Sequence, residues 1–266
     1  MPNLPEYRAP SGVTAPIQVA NVSVGALEDG DIIEAGTPIE DVLRSILVKA
    51  LAPTFSLSGS GSKTVEVGST INPVLTASYN QRDGGAVTAL TIGGVDVTPT
   101  PYERTIAASQ LGNPTDLTAQ VSYGASVDYD DSGALPAGSV NSGTVKYRAR
   151  RFIFRGTRNA TPGTSSDVRT LSGGGNPILD AKGGKQFSIS VPDGATSVEF
   201  AYPAALGPVE QIQFVGALTS DVTDDYTRTT VTVNGGAGDG SFAIDYYVYR
   251  REPPSAYTAS TINVTI

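Results

Sequence analysis

Apolar residues recur along this chain with two different periods. From residue 54 onward they alternate with polar ones in short runs. The first set is 54–58, 64–67, 73–79, 87–92, 102–106, 117–123 and 144–150, and the second is 152–155, 187–191, 197–202, 211–215, 227–234, 242–250 and 261–266. Alternation with period 2 places every second side chain on one face and predicts half-buried strands. Turn clusters such as Gly59-Ser60-Gly61, residues 81–85 and Ile92-Gly93-Gly94 separate the runs. Short strands punctuated about every ten residues have the rhythm of an Ig-like sandwich.

One stretch keeps the other period. Ile39, Val42, Leu43, Ile46, Leu47 and Ala50 follow the i, i+3, i+4, i+7 spacing of one helical stripe. Thr37-Pro38-Ile39-Glu40 ahead of them has Thr at an N-cap, Pro at the first helical position and Glu three residues after the cap, a predicted capping box. Glu40 and Asp41 come early and Arg44 and Lys49 late, as the helix dipole favours. Pro53 ends the pattern. The helix over 37–51 is expected either to pack on the first β-domain or to serve in oligomerisation, because so short a helix is marginal without packing.

Ahead of the helix, residues 1–36 are punctuated by Pro2, Pro5, Pro10 and Pro16 and carry an alternating apolar set, Ile17, Val19, Val22 and Val24. Such a segment cannot build its own core, so it is expected to take shape against its own body or a partner. At the other end of the first strand set, Val145, Tyr147 and Ala149 are expected to face inward and Lys146, Arg148 and Arg150 outward. The alternation slips by one at Arg150-Arg151, which sets a domain boundary with no flexible linker. The predicted organisation is an extended arm (1–36), a capped helix (37–51) and two β-sandwich domains (52–150 and 151–266), an all-β fold of two Ig-like domains in tandem.

Composition narrows the chemistry. Among 266 residues there is no His, Cys or Trp, while Thr (28), Ser (25) and Gly (30) abound. That excludes a Ser-His-Asp triad, a Cys nucleophile, a disulfide framework and imidazole or thiolate metal sites. The net charge of −8 disfavours a nucleic-acid partner. No stretch approaches the roughly 18 apolar residues of a membrane span, and the N-terminus lacks the basic and apolar regions of a secretory signal. The glycine-rich stretch 234–240 lies between two predicted strands without a following helix, so it reads as a mobile hairpin tip rather than a phosphate loop. A single helical turn, capped by Ser165 or Ser166, is expected near 165–171.

Two acidic clusters, 128–131 and 221–225, hold oxygen ligands of the kind Ca²⁺ takes but lack EF-hand spacing, so they are expected to be solvated loops. Lys146, Arg148, Arg150, Arg151 and Arg155 form one basic stripe. It is expected to be a solvated strand face, or else to receive the acidic stretch containing Glu28, Asp29, Asp31 and Glu34 of a neighbouring copy. Glycoside hydrolysis needs only two carboxylates, but no convincing pair stands out, and no enzymatic activity or cofactor is expected.

Residues 29–43 (DGDIIEAGTPIEDVL), followed by Ala52-Pro53-Thr54-Phe55, and residues 198–207 (VEFAYPAALG), followed by 246–249, are similar to stretches in structural proteins of tailed bacteriophages, including crAss-like and other phages of Bacteroidetes. The resemblance implies a virion component, made in a host cytoplasm, with head, neck or tail proteins and copies of itself as partners. Its expected interface residues are Ile17, Val19, Val22, Val24, Ile39, Val42, Leu43, Ile46, Leu47, Arg148 and Arg150. The competing expectation is a fibre or adhesin module that binds a host-surface glycan or receptor. It would show exposed aromatics at loop tips, with Tyr226 and Tyr257 as candidates.

Overall fold

A computed structural model describes residues 15–18, 31–47, 50–158, 160–171, 176–177, 186–216 and 218–266, with only the backbone for 44–47 and 176–177. The described chain is mostly β with two short helices, and it holds several antiparallel sheets together with one parallel pair. By its internal contacts it divides into two compact units interleaved along the sequence. The first takes Met1–Leu57, Ala77–Tyr102 and Ala125–Gly143, and the second takes Ser58–Thr76, Glu103–Gly124 and Thr144–Ile266.

In the first unit, a four-stranded sheet runs Gly138–Asn141, Ala125–Tyr129, Val87–Ile92, Val95–Asp96. Leu90, Ile92 and Val127 are fully buried in it. The tight hairpin from Ile92 to Val95 needs positive φ at both central residues, and Gly93 and Gly94 supply it at 57° and 77°. The acidic cluster 128–131, expected as a solvated loop, begins within the strand Ala125–Tyr129, which returns through Gly138–Asn141 with Val127 opposite Val140. Ahead of this sheet, Ile17–Gln18 pairs with Ile32–Ile33, and one helix, α1, spans Ile39–Leu47.

The second unit contains a sheet of Thr118–Tyr123, Val145–Arg150 and Thr64–Glu66, the last strand parallel to the middle one. It also contains a five-stranded sheet ordered Asn176–Pro177, Phe152–Gly156, Val198–Pro203, Ile244–Arg251, Thr227–Val233. A four-stranded sheet follows the order Gln186–Val191, Ser260–Thr265, Gln211–Val215, Thr219–Asp221. These last two share one core: Phe200, Tyr202 and Tyr249 from one sheet meet Ile189, Ile212, Ile262 and Val264 from the other. The rings of Phe200 and Tyr249 stack at 5.1 Å. The opposite face of the five-stranded sheet is also covered, with Phe154, Ala201, Val231, Tyr246 and Val248 packing against Val168 and Leu171. Val168 lies on the second helix, α2 (Ser165–Arg169). Val198–Pro203 is therefore buried at every position, including the fully buried Glu199.

The single helical turn forms, but its cap is Thr164 rather than Ser165 or Ser166. Thr164 Oγ1 accepts from Asp167 N at 3.2 Å, and Asp167 Oδ2 accepts from Thr164 N at 3.1 Å, a reciprocal capping box. Asp167 also pairs with Arg158 at 2.8 Å. The Thr164 hydroxyl, then Arg158 and Gly163 N–H, hold its carboxyl down at about 2. Ser165 is used elsewhere: its hydroxyl accepts from Asn234 N at 2.9 Å.

α1 starts differently from its predicted cap. Pro38 O accepts the first helical bond, from Val42 N at 3.2 Å, so Pro38 sits at the cap rather than one residue inside. The Thr37 hydroxyl donates to Glu34 O at 2.8 Å, alongside Thr37 N at 3.2 Å. The Ala35-Gly36 turn, with Gly36 at φ 93°, draws Thr37 back toward residue 34 and away from the helix.

Candidate functional site

Large apolar side chains left in water are concentrated near the N-terminus. Of the seven among the described residues, Ile17 (53%), Ile32 (59%), Ile39 (45%), Leu43 (50%) and Leu51 (57%) lie within residues 17–51, and the others are Val95 and Leu218. The register of the two-stranded ribbon sets Ile17 opposite Ile33 and Gln18 opposite Ile32. Ile39 and Leu43 stand one helical turn apart on α1, and Val42 beside them is half-buried. Among the predicted interface residues, Val19, Val22 and Val24 lie outside the described residues, as do the side chains of Ile46 and Leu47.

Behind α1 the chain is clamped before it enters its first long strand, Thr54–Gly59. Leu51 N donates to Asp83 Oδ2 at 2.7 Å, and Asp83 N returns a bond to Leu51 O at 3.3 Å. Arg82 reaches Ala52 O at 3.5 Å. Gly84 is closed against Pro53, so that a Cβ there would strike the proline ring. The neighbouring loop locks onto the same turn: the Ser132 hydroxyl donates to Asp83 O, and a Cβ on Gly85 would collide with the Asp130 carbonyl. This bonding fixes where the apolar N-terminal stretch joins its unit.

The basic stripe divides. Val145, Tyr147 and Ala149 point into the core, while Lys146 and Arg148 are exposed and Arg150 partly so. Arg148 Nε donates to Gln120 Oε1 at 3.1 Å across the strand pair. Thr118, Ala119, Gln120, Arg148, Ala149 and Arg150 line an open trough of about 370 Å³.

Arg151, expected on the solvated stripe, is fully buried. The register slip at this residue turns its side chain inward. There its guanidinium donates to Phe242 O, to Pro114 O at 3.0 Å and to Asp116 O at 3.4 Å. Desolvation pushes its pKa below the ordinary arginine value. Close by in the fold, buried Glu66 takes both terminal nitrogens of Arg169 at 2.7 Å each, and Arg169 also reaches Asn234 O at 2.9 Å. Fully buried Glu199 accepts from Arg250 Nε at 3.0 Å and Arg158 N at 2.6 Å. These groups are internally satisfied and hold backbone in place. Sequence reasoning missed all three, because an Arg or Glu in an alternating run reads as its wet side.

The predicted hairpin tip at 234–240 is held down rather than mobile. Gly236 N donates to Val67 O at 2.8 Å, Gln110 Nε2 reaches Asp239 Oδ2 at 2.6 Å, and Gly235 packs so closely on Phe242 and Val67 that no Cβ fits. Tyr226 and Tyr257, expected as exposed candidates, are buried, and their pKa values are raised by burial. Their rings belong to the core that also holds Phe200 and Ile262. Partly exposed rings occur in the first unit, where Tyr79 and Tyr129 stand 6.3 Å apart.

The acidic clusters are occupied by their own loops. Asp221 accepts from Thr223 N and Oγ1 and from Gln211 Nε2, and Asp225 pairs with Arg251 at 2.6 Å. Asp131 caps its turn by accepting from Gly133 N. Among the described residues no group of three or more carboxylates is placed to hold a metal ion. Chemically these surfaces offer apolar contact near the N-terminus and cationic hydrogen-bond donors on the stripe. Comparison with known protein families, with curated proteins and with solved structures finds no match for this chain.

Proposed function

We propose that this protein is a non-enzymatic structural component of a bacteriophage virion, a head decoration, head fibre or neck- or tail-attached protein that docks through its N-terminal stretch. One observation carries the reading: apolar side chains that folding would ordinarily bury are left in water between Ile17 and Leu51, at the stretch that the loop 80–85 ties to its unit. An exposed apolar concentration of this kind fits contact with a partner surface. The finer architecture belongs to the same proposal: the strands build Ig-like sandwiches, supported by antiparallel pairing and strand spacing.

The test is particle incorporation. A chain lacking residues 1–36, or carrying Ile39→Asp with Leu43→Asp, should stay folded by circular dichroism and disappear from purified particles. Unchanged incorporation of both refutes the docking role. A second reading, a glycan- or receptor-binding fibre module, draws on the Tyr79–Tyr129 pair, since partly exposed rings can stack on sugar faces. Glycan-array binding that is lost on Tyr129→Ala would favour it.

A further inference from the structure

The outward face of the sheet built from Thr118–Tyr123, Val145–Arg150 and Thr64–Glu66 has a charge imbalance opposite to that of the whole chain. Its register sets Ser122 beside Lys146, Gln120 beside Arg148 and Thr118 beside Arg150. On the other side Thr64 lies beside Arg148 and Glu66 beside Arg150. Three cations thus follow one another at alternate positions, about 7 Å apart. Glu66, the carboxylate that the register sets beside Arg150, is buried with both oxygens on Arg169. The outward positions of Thr118–Tyr123 are uncharged, and Thr118, Gln120, Arg148 and Arg150 line the open trough on this strand pair.

A complementary segment exists in the same chain. Glu28-Asp29-Gly30-Asp31-Ile32-Ile33-Glu34 has four acids and no base, within a protein of net charge −8. Its described portion is extended at Ile32–Ile33, with Asp31, Ile32 and Glu34 exposed. In an extended backbone Asp29 and Asp31 fall on one side at the two-residue repeat that separates Arg148 from Arg150. We propose that residues 28–34 of one copy lie along the Lys146-Arg148-Arg150 stripe of a second copy. The inference rests on the reading of the protein as a multi-copy component and gives that reading a self-contact. Such a contact joins two different surfaces, so copies add head to tail and either close a ring or continue along a support. Each exposed ion pair contributes little alone. A row of them steers encounter and fixes orientation, and attachment to a common support raises the effective concentration.

Sedimentation velocity on the full chain over a concentration series tests this, with about 50 and about 500 mM NaCl compared. The expected result is concentration-dependent association at low salt, weakened about tenfold or more at high salt. The triple variant K146E/R148E/R150E and the quadruple variant E28K/D29K/D31K/E34K should each be monomeric, while their equimolar mixture associates. Should the reversed stripe fail to fold, K146Q/R148Q/R150Q serves with the same expectation of lost association. A chain that is monomeric at low salt, association untouched by the stripe substitutions, or a folded pair of variants that does not associate on mixing would each overturn the proposal. Ile39→Asp with Leu43→Asp should leave this salt-dependent association intact while abolishing particle incorporation, which separates failure of the contact from failure of the docking reading.

Discussion

Replacing Arg151 by methionine removes a cation that the fold has taken wholly out of water, while keeping most of the side-chain volume. The guanidinium serves three backbone carbonyls, Phe242 O, Pro114 O at 3.0 Å and Asp116 O at 3.4 Å. Hydrogen bonds to charged groups are worth about 1.5–3 kcal/mol each, so counting the bonds to Phe242 and Pro114 alone about 3–6 kcal/mol is at stake. Removing a desolvated charge returns part of this, and methionine fills most of the space. The net loss expected is about 2–4 kcal/mol, because the carbonyls stay behind with no donor to replace the guanidinium. Arg148→Met is the matched control. It lies three positions away, is exposed and donates to Gln120, so it should change stability by no more than about 0.5 kcal/mol. Urea unfolding of the three proteins at equal m-value decides the matter. If Arg151→Met comes within about 1 kcal/mol of the control, the buried guanidinium is not holding these segments together, and the argument from its carbonyl partners is wrong.

Asp167 should show itself at low pH. Its carboxyl titrates at about 2 in the folded chain against an ordinary 3.8. A depressed carboxyl contributes stability that is present in full above about pH 4 and lost as pH falls toward 2. Asp167→Asn should flatten the thermal-midpoint profile over that window and leave the slope above pH 5 unchanged; an unaltered acid limb would count against the capping box. Gly85→Ala forces a methyl onto the Asp130 carbonyl, backbone that cannot swing aside. It should lower stability by at least about 1–2 kcal/mol in the same urea assay, whereas Gly143→Ala, with open space around it, should not.

The strands were largely legible because their apolar residues alternate. The expected runs at 87–92 and 211–215 coincide with the observed Val87–Ile92 and Gln211–Val215, and most others differ by a residue or two at the ends. The strand Ala125–Tyr129 was missed because Asp128 and the acids after it resemble a loop; in the fold Asp128 accepts from the Ser139 hydroxyl across the hairpin. Arg151, Glu66 and Glu199 defeated pattern reading for a shared reason. Alternation tells which residues share a face, but a face becomes wet or dry only when another layer covers it. Val198–Pro203 has such a layer on both sides, so no polar position along it marks an outer surface. The helix cap failed differently: Thr37 has two acceptable uses, and the turn before it decided between them. Of the expected interface residues, the exposure of Ile17, Ile39, Leu43 and Arg148 is visible, but an exposed position names no partner, and that part of the site was never written in the alternation.

The clamp at Leu51 also determines how this protein would bear tension. If the N-terminal stretch is fixed to a support and the rest is tugged by flow, the pull enters its unit at residues 51–53, where paired bonds to Asp83 meet the strand Thr54–Gly59. The hydrogen bonds of loop 80–85 are loaded before those of the first long strand. Under that condition the load falls first on the small turn from Gln81 to Gly85, remote in sequence from the exposed apolar side chains of Ile17, Ile32, Ile39 and Leu43.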